Sequence, residues 1–585
     1  MFKKIASTIE SSLDKLLRGL HRFPEAILLA TLTVMVLIFL NHSGSLDNTT
    51  TIRNNLNRLA AVLALGIPLT LGIRLLMERL TKLHLGLKII LYLGTATGLL
   101  LYFCYGLPNF SMVPLSRYLA LTLAFYLIFL FIPYFFRRDH FELYCVEILI
   151  RFLITYFYAA VLYLGIGSIV FTVNMLFAIS LKGVIYFDVW LVVAGIFAPA
   201  YFLAEIPLLE SEFDIDSYPK VLKILFLYIV VPMIIIYSVI LYVYFVKIII
   251  VRSWPAGIVS NLVLWYGLIC SGVFFCIYLL HSKIKWLQKL LVTFPGLLLP
   301  LLAMMFLAMG IRIRAYGTTE SRYFVVIAGL WITGWMLYYL LAKKVRNIFL
   351  PVSLAFLAVF SVIGPWSAYS ISKWDQNRRF TAILMKYNMI DGEKLAKPNR
   401  PITPEEKAQI ISLLTYFKYS HSLHDLKCLP ENFKLGEMAK VFGFQWDPDA
   451  SPDRDGKSFF SYQYQNPKNG QLTNIRGFDY YIDIPQTPIS KTDPGSKILI
   501  IYNLNTQELM IAVQNHEIYR KKVSGIAGQF FKNGNPPQEK QITFSDENKR
   551  VQVLYNFDSI YGQKDLANDD IRINSMNFKA FIRLK

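Results

Sequence analysis

Three arginines and two tyrosines are concentrated in one twelve-residue stretch, 312–323, which is the strongest candidate for chemistry in this sequence. The stretch contains Arg312, Arg314, Tyr316, Glu320, Arg322 and Tyr323. Guanidinium groups form forked hydrogen bonds with phosphate or carboxylate groups, such as those of a lipid headgroup or an acidic polymer. The composition therefore predicts an anion-binding loop. The alternative is that these arginines and tyrosines only anchor helix ends at a membrane interface.

A second polar segment follows at 364–379. It opens with Gly-Pro-Trp at 364–366 and ends with Asp375, Arg378 and Arg379. Two apolar stretches separate it from the first loop, so both segments are expected on the same side of a membrane. We predict that they form one polar, anion-binding surface, although tryptophan and tyrosine here are also ordinary interfacial residues.

Charged residues also occur within the apolar stretches. Glu147 and Arg151 are four residues apart, so a helix places them on one face, where they form a candidate ion pair. Such charges are costly inside a membrane and mark either a structural pair or an ion pathway. A transporter would require that Glu147, Arg151, Asp188 and Glu205 converge on one cavity.

Motifs that identify an enzyme are missing from the sequence. It has no Walker phosphate-binding loop, no His-Glu-x-x-His and no Gly-x-Ser-x-Gly. His421 and His424 lie near Asp425 and Cys428, but a solvated helix end explains them better than zinc. We therefore predict no catalytic, cofactor-binding or metal-binding residues.

The elements that carry these residues follow from composition. Hydrophobic residues make up 55% of the chain and charged residues 17%, and the net charge is +20. Runs of about 20 apolar residues, each long enough to cross a bilayer as a helix, recur up to residue 369. Membrane lipids are therefore the expected partners. The basic residues cluster in short loops between the runs, where they encode orientation, so nucleic acid is not a predicted partner.

The pattern predicts an α-helical membrane bundle of about eleven spans over 24–369, preceded by an amphipathic cytoplasmic helix at 1–23. The spans are 24–41, 59–77, 85–106, 118–136, 144–178, 187–207, 221–249, 257–281, 290–311, 323–342 and 348–369. A turn within 144–178 would leave backbone groups unsatisfied, so one long helix is favoured over a hairpin. An odd number of spans, with the N-terminus inside, places the C-terminal part outside the cytoplasm.

The remaining residues predict a soluble α+β domain. Residues 370–445 form a juxtamembrane helical region, in which one helix continues from the last span and Thr403-Pro404-Glu405-Glu406 begins another. Residues 446–585 are β-rich. Alternating apolar residues within 478–484, 498–502, 509–513 and 551–555 predict about eight strands in an antiparallel sheet, sandwich or barrel.

The two polar segments carry a family resemblance. Tyr-Gly-Thr-x-x-x-Arg-Tyr at 316–323, Gly-Pro-Trp at 364–366 and Ser-x-x-x-Gln-x-Arg at 372–378 resemble the bacterial multi-spanning proteins of domain-of-unknown-function family DUF4153. The resemblance extends over most of the chain. It implies a bacterial inner-membrane location and the same two-part layout, and it supplies no activity.

Three classes of function are left open. The favoured one is a non-enzymatic inner-membrane protein that binds, anchors or senses an envelope component, with its C-terminal domain outside the cytoplasm. The second is a secondary transporter. The third is a lipid-linked glycosyltransferase, which would need an acidic residue in the first external loop, Asn41–Arg58, and only Asp47 is available there.

Overall fold

The structure is a computed structural model of the whole chain, which divides into two compact units, Met1–Arg378 and Arg379–Lys585. It describes residues 17, 19–43, 50–80, 84–135, 140–177, 183–208, 218–251, 258–391, 394–430, 433–444, 457–464, 475–484, 489–493, 498–514, 516–531, 542–565 and 571–585. Most of the predicted amphipathic segment 1–23 lies outside these residues, as does Asp47.

The first unit consists of helices. In chain order they are α1 (Pro24–His42), α2 (Thr50–Arg79), α3 (Leu85–Leu101), α4 (Met112–Phe131), α5 (Phe141–Phe177), α6 (Val184–Val192), α7 (Ala198–Ala204), α8 (Lys220–Ile224), α9 (Val231–Val251), α10 (Ile258–Ile277), α11 (Lys285–Tyr316), α12 (Glu320–Leu341), α13 (Phe349–Phe360) and α14 (Ala368–Lys386). Wider π-helical turns, Val193–Phe197 and Leu225–Val230, join α6 to α7 and α8 to α9.

These helices confirm the predicted membrane bundle. Within the described residues, ten helical segments are long and apolar enough to cross a membrane. Residues 141–177 form one continuous helix, α5, so the single-helix prediction is confirmed and no hairpin occurs there. The distorted turn at Leu225–Val230 directly precedes Pro232, which lacks the N–H that a regular helix requires.

Contacts between helix ends show that successive segments run in opposite directions. Arg58, near the start of α2, donates to the Leu107 and Phe103 carbonyls beyond the end of α3, at 2.6 Å in both cases. Similarly, Arg151 near the start of α5 contacts Glu205 at the end of α7. The end of α4 lies beside the start of α5, because the Tyr134 ring, just after α4, is 4.7 Å from the Tyr144 ring. The starts of α4 and α5 therefore lie on opposite sides of the bundle.

The last predicted span differs from expectation. Instead of one helix over 348–369 that continues into the soluble part, α13 has 12 residues and α14 begins separately at Ala368. The prediction of a continuous helix was wrong because Gly364 adopts a φ of +90° and Pro365 has no N–H to donate. The helix therefore breaks at the Gly-Pro-Trp motif.

The second unit contains two cores. The first is formed by α14, α15 (Pro404–Ser420) and α16 (Met438–Phe442), with the short pair β1 (Ile390–Asp391) and β2 (Lys394–Leu395) alongside. Pro404 occupies the first turn of α15, with Glu405 and Glu406 beside it, as predicted.

The second core lies between two antiparallel sheets. The strands are β3 (Lys457–Gln463), β4 (Tyr480–Ile484), β5 (Ile489–Asp493), β6 (Ile498–Asn503), β7 (Glu508–Val513), β8 (His516–Lys522), β9 (Ile542–Glu547), β10 (Val551–Asp565) and β11 (Ile571–Leu584), and helix α17 (Val523–Gln529) follows β8. One sheet has the order β3-β10-β11-β4 with β9 also paired to β10, and the other has the order β5-β6-β7-β8. Tyr502 of one sheet packs edge-on against Phe578 of the other, with ring centroids 5.4 Å apart. The predicted antiparallel β-rich part is confirmed as a sandwich.

Candidate functional site

The two polar segments identified in the sequence lie against each other. The Thr318 N–H donates to Asp375 Oδ2 at 2.6 Å, and Gln376 Nε2 donates to the carbonyls of Thr318 at 2.8 Å and Tyr316 at 3.3 Å. The Tyr323 hydroxyl donates to the Trp366 carbonyl at 2.8 Å. Side chains of one segment thus bind the backbone of the other, which fixes their relative position within the first unit.

Two charges of the first segment are buried rather than presented to solvent. Glu320, in the first turn of α12, is 2% exposed, and Arg322 is 7% exposed. Arg322 donates to the Gly317 carbonyl and lies over the Tyr316 ring, 5.7 Å from its centroid. Gly317 ends α11 with a φ of +77° and a ψ of 175°, a conformation that is available essentially to glycine alone. The Arg322 guanidinium therefore stabilises the turn that follows α11.

Other candidates remain at the surface. Arg314 and Tyr316 are exposed in the last turn of α11, and Arg312 is half-buried. Arg378 is 63% exposed, pairs with Asp375 at 3.0 Å and lies over the Trp374 ring at 5.1 Å. We call Arg314, Tyr316, Trp374 and Arg378 the arginine face.

Not every candidate belongs to this face. Asp375 is only 5% exposed, so its carboxylate organises the face instead of meeting a ligand. Arg379 is half-buried and belongs to the second unit. Whether the arginine face binds anions stays a prediction.

The intramembrane charges form an ion-paired cluster. Arg151 contacts Glu147 at 2.8 Å and Glu205 Oε2 at 3.0 Å, and it also donates to the Glu205 carbonyl. Asp188 lies elsewhere: it accepts from Asn41 at 2.8 Å and contacts His42 at 2.5 Å, at the far end of α1. Three of the four charges named for a transporter therefore converge, and Asp188 does not.

A neighbouring ion pair was not found by sequence reasoning. Arg22 donates to both carboxylate oxygens of Glu78, at 3.1 and 2.9 Å, and to the carbonyls of Ile206 at 2.6 Å and Pro207 at 3.3 Å. Because Ile206 follows Glu205 directly, the segment after α7 connects this pair to the Arg151 cluster. Arg22 and Glu78 are 56 residues apart, so no spacing rule could have paired them.

No metal centre is apparent in the part of the chain that the structure describes. Within that part, no group of three or more His, Cys, Asp or Glu side chains is arranged to hold a metal ion. His421 instead contacts the Tyr416 hydroxyl at 3.0 Å, and Asp425 accepts from the Ser422 N–H at 3.3 Å. Both contacts lie at the end of α15 and in the turn that follows it.

Comparison with known proteins decides the family. Residues 26–392 match the family described as Domain of unknown function (DUF4153). The chain belongs to the DUF4153 family. The matched region includes both segments of the resemblance as well as Glu147 and Arg151, so the predicted membership is confirmed.

The relatives of this DUF4153 protein supply no activity. The chain is similar to the "Uncharacterized protein PM1469" of Pasteurella multocida (strain Pm70), with 26% identity over 201 residues. The aligned region covers 34% of each chain, so the chain spans about a third of the length of this curated relative. No solved structure matches.

Proposed function

We propose that this protein is a non-enzymatic binding and anchoring protein of the bacterial inner membrane, and that its arginine face recognises a phosphate or carboxylate group of the cell envelope. The observation that carries the proposal is the bond from the Thr318 N–H to Asp375, because it holds the two polar segments together. Exposed Arg314 from one segment and Arg378 from the other are thereby presented by the same region of the first unit.

The side chains of the arginine face suit an anionic group at a membrane surface. A guanidinium group has five N–H donors in a planar fork and is always charged, so it binds phosphate or carboxylate in two-point contact. Arg378 stays largely exposed although it pairs with Asp375. Tyrosine and tryptophan place an apolar ring and a polar edge at the level of lipid headgroups.

The path of α13 supports an extracytoplasmic side for the arginine face and for the chain beyond it. Asn347, before α13, donates to Glu142 at the start of α5, whereas Val362, beyond α13, accepts from Arg117 near the start of α4. These two starts lie on opposite sides of the bundle. The segment 347–362 therefore makes an eleventh pass, and an N-terminus held inside by its lysines and arginines puts residue 362 outside.

Binding is tested with purified full-length protein, using vesicles that contain phosphatidylglycerol as one probe and soluble polyglutamate as the other. The double variant Arg314→Gln/Arg378→Gln should weaken binding of at least one probe tenfold or more. Arg346→Gln removes an exposed arginine from the loop between α12 and α13 and should leave binding unchanged. Preference for vesicles identifies a lipid headgroup, and preference for the polymer identifies an acidic polymer. Equal binding by wild type and the double variant would overturn the proposal.

The side of the membrane needs a separate experiment. Alkaline phosphatase fused after Lys585 should be active, and a green fluorescent protein fused at the same position should be dark, because the former folds outside the cytoplasm and the latter inside. The reverse result would place the second unit in the cytoplasm and redirect the search toward intracellular partners.

A secondary transporter is the second candidate. Glu147, Arg151 and Glu205 converge as it requires, whereas Asp188 does not. It predicts that Glu147→Gln abolishes substrate-coupled uptake of ions into vesicles, while Asp188→Asn leaves uptake intact because Asp188 lies apart from the cluster. Uptake that depends on neither Glu147 nor Asp188 would exclude this candidate.

A further inference from the structure

The first unit contains a partly open, apolar cavity of about 740 Å³ between α1, α2, α4, α5, α6, α7 and α10. A volume of this size is typical of sites for small organic ligands. The side chains that shape it are almost all apolar, and they include Val34, Leu71, Phe129, Phe152, Trp190 and Phe275. Such a lining suits a hydrocarbon chain. Its few polar groups include the Tyr126 and Tyr156 hydroxyls and the Thr33 hydroxyl, which already donates to the Leu29 carbonyl.

One end of the cavity adjoins charged side chains. On α5, Cys145, Ile148 and Phe152 line the cavity within one helical turn of Glu147 and Arg151. On α7, Leu203 lines it two residues before Glu205. Because Arg151 joins Glu147 and Glu205, we infer that the ion-paired cluster lies next to the end of the cavity that is nearest to the start of α5, although its own side chains do not line the cavity.

The charges at this end are of both signs. The bonded set contains Arg22, Arg74 and Arg151 together with Glu78, Glu147 and Glu205, and each arginine lies within 3.9 Å of a glutamate. We call these six residues the charged end. Their side chains are partly exposed, between 17% and 34%, so a ligand headgroup can reach them.

We propose that the cavity binds one acyl chain of a zwitterionic phospholipid whose ammonium and phosphate groups meet the charged end. Carboxylates accept hydrogen bonds from the ammonium group, and guanidinium groups donate to the phosphate. A purely anionic headgroup would meet three carboxylates, and an uncharged molecule would leave the ion pairs without an additional partner. The balance of charge therefore selects a headgroup that carries both signs.

The headgroup, rather than the acyl chain, determines the selectivity. Lipid tails are as apolar as the side chains of the cavity, so a chain that leaves the bilayer for the cavity gains packing contacts but little hydrophobic free energy. Differences between lipids with the same chains must then arise at the charged end. The site is separate from the arginine face, which is formed by the end of α11 and the middle of α14 and takes no part in lining the cavity.

The test is native mass spectrometry of the full-length protein after incubation with phosphatidylethanolamine, phosphatidylglycerol or diacylglycerol of identical chains. Wild type should retain phosphatidylethanolamine at least fivefold more than either other lipid. Ala194→Phe fills the cavity and should remove this retention, whereas Ala160→Phe, on an exposed position of α5, should not.

A second variant tests the headgroup without changing the cavity volume. Glu147→Gln/Glu205→Gln keeps the shape of the charged end but removes two negative charges, so retention should shift at least fivefold toward phosphatidylglycerol. Equal retention of all three lipids by wild type, preference for the anionic or the uncharged lipid, or retention unaltered by both variants would overturn the proposal.

Discussion

Asp375 connects the two polar segments, and its removal should release the loop after α11. Asp375→Ala deletes a carboxylate that accepts the Thr318 N–H at 2.6 Å and Arg378 at 3.0 Å. A hydrogen bond to a charged group is worth about 1.5–3 kcal/mol. The exposed pair with Arg378 adds about 0–1 kcal/mol. The free energy that holds the loop in place should therefore fall by about 2–4 kcal/mol.

Hydrogen exchange of the Thr318 amide measures this change directly. Each 1.4 kcal/mol corresponds to a factor of ten, so exchange in Asp375→Ala should accelerate by roughly thirty-fold to several hundred-fold. The amide of Ala342, which bonds to Tyr338 at the other end of α12, serves as the internal control.

A matched variant separates the two contacts of Asp375. Arg378→Gln removes only the exposed ion pair and should change Thr318 exchange by less than about sixfold, since such pairs contribute about 1 kcal/mol at most. Exchange at Thr318 that stays within threefold of wild type in Asp375→Ala would refute the reasoning. It would show that Gln376 and Tyr323 alone hold the two segments together.

Three further outcomes follow from single residues. Gly317→Ala forces a side chain into a φ of +77° and should destabilise the protein by about 1–3 kcal/mol, seen as a lower melting temperature in detergent. In Arg58→Lys, one compact ammonium group cannot reach both carbonyls beyond α3, so the melting temperature should fall. It should fall further than in Arg53→Lys, which changes an exposed residue about one and a half helical turns earlier in α2. Hydrogen bonding from Lys386 lowers the pKa of Glu406 below its usual 4.5, so this carboxylate stabilises the fold above that value and the effect is lost as the pH falls through the lowered pKa. Glu406→Gln should therefore cost about 1 kcal/mol at neutral pH and flatten the acid dependence of the melting temperature, with exposed Glu405→Gln as the control.

Sequence reasoning found the bundle and the sandwich because both leave periodic signals. Apolar runs of membrane length and alternating strand patterns are local, and the structure places helices and strands where they predict. The same reasoning found Glu147 and Arg151, since four residues is one helical turn. It missed Arg22 and Glu78, whose proximity depends on how α1, α2 and the end of α7 pack.

The sequence could not show which arginine side chains of the loop 312–323 are exposed. Arg314 and Arg322 look alike in the sequence, yet Arg314 is exposed and Arg322 is bound to the Gly317 carbonyl. The difference arises because α12 begins at Glu320, which turns Arg322 toward the end of α11. Composition gives every arginine of the loop the same role, and only packing separates a buried structural arginine from an exposed one.

The break after α13 shows where the proposed eleventh pass departs from the predicted span, because residues 348–369 are not one continuous helix. Twelve residues of helix span about 18 Å, well short of a hydrocarbon core of about 30 Å, so irregular backbone must complete the pass. Irregular backbone is tolerated at that depth only where protein groups satisfy it.

Those groups are present around the break. The Val362 carbonyl accepts from Arg117 at 3.3 Å, the Ser361 carbonyl accepts from the Ala368 N–H at 2.9 Å, and the Trp366 carbonyl accepts from Tyr323. A hydropathy profile shows only an apolar stretch in 348–369. It cannot detect a break in the helix whose backbone groups are satisfied by neighbouring helices. In the proposed topology, the side of the second unit therefore depends on Arg117 and Tyr323, two residues far from α13 in sequence, as much as on α13 itself.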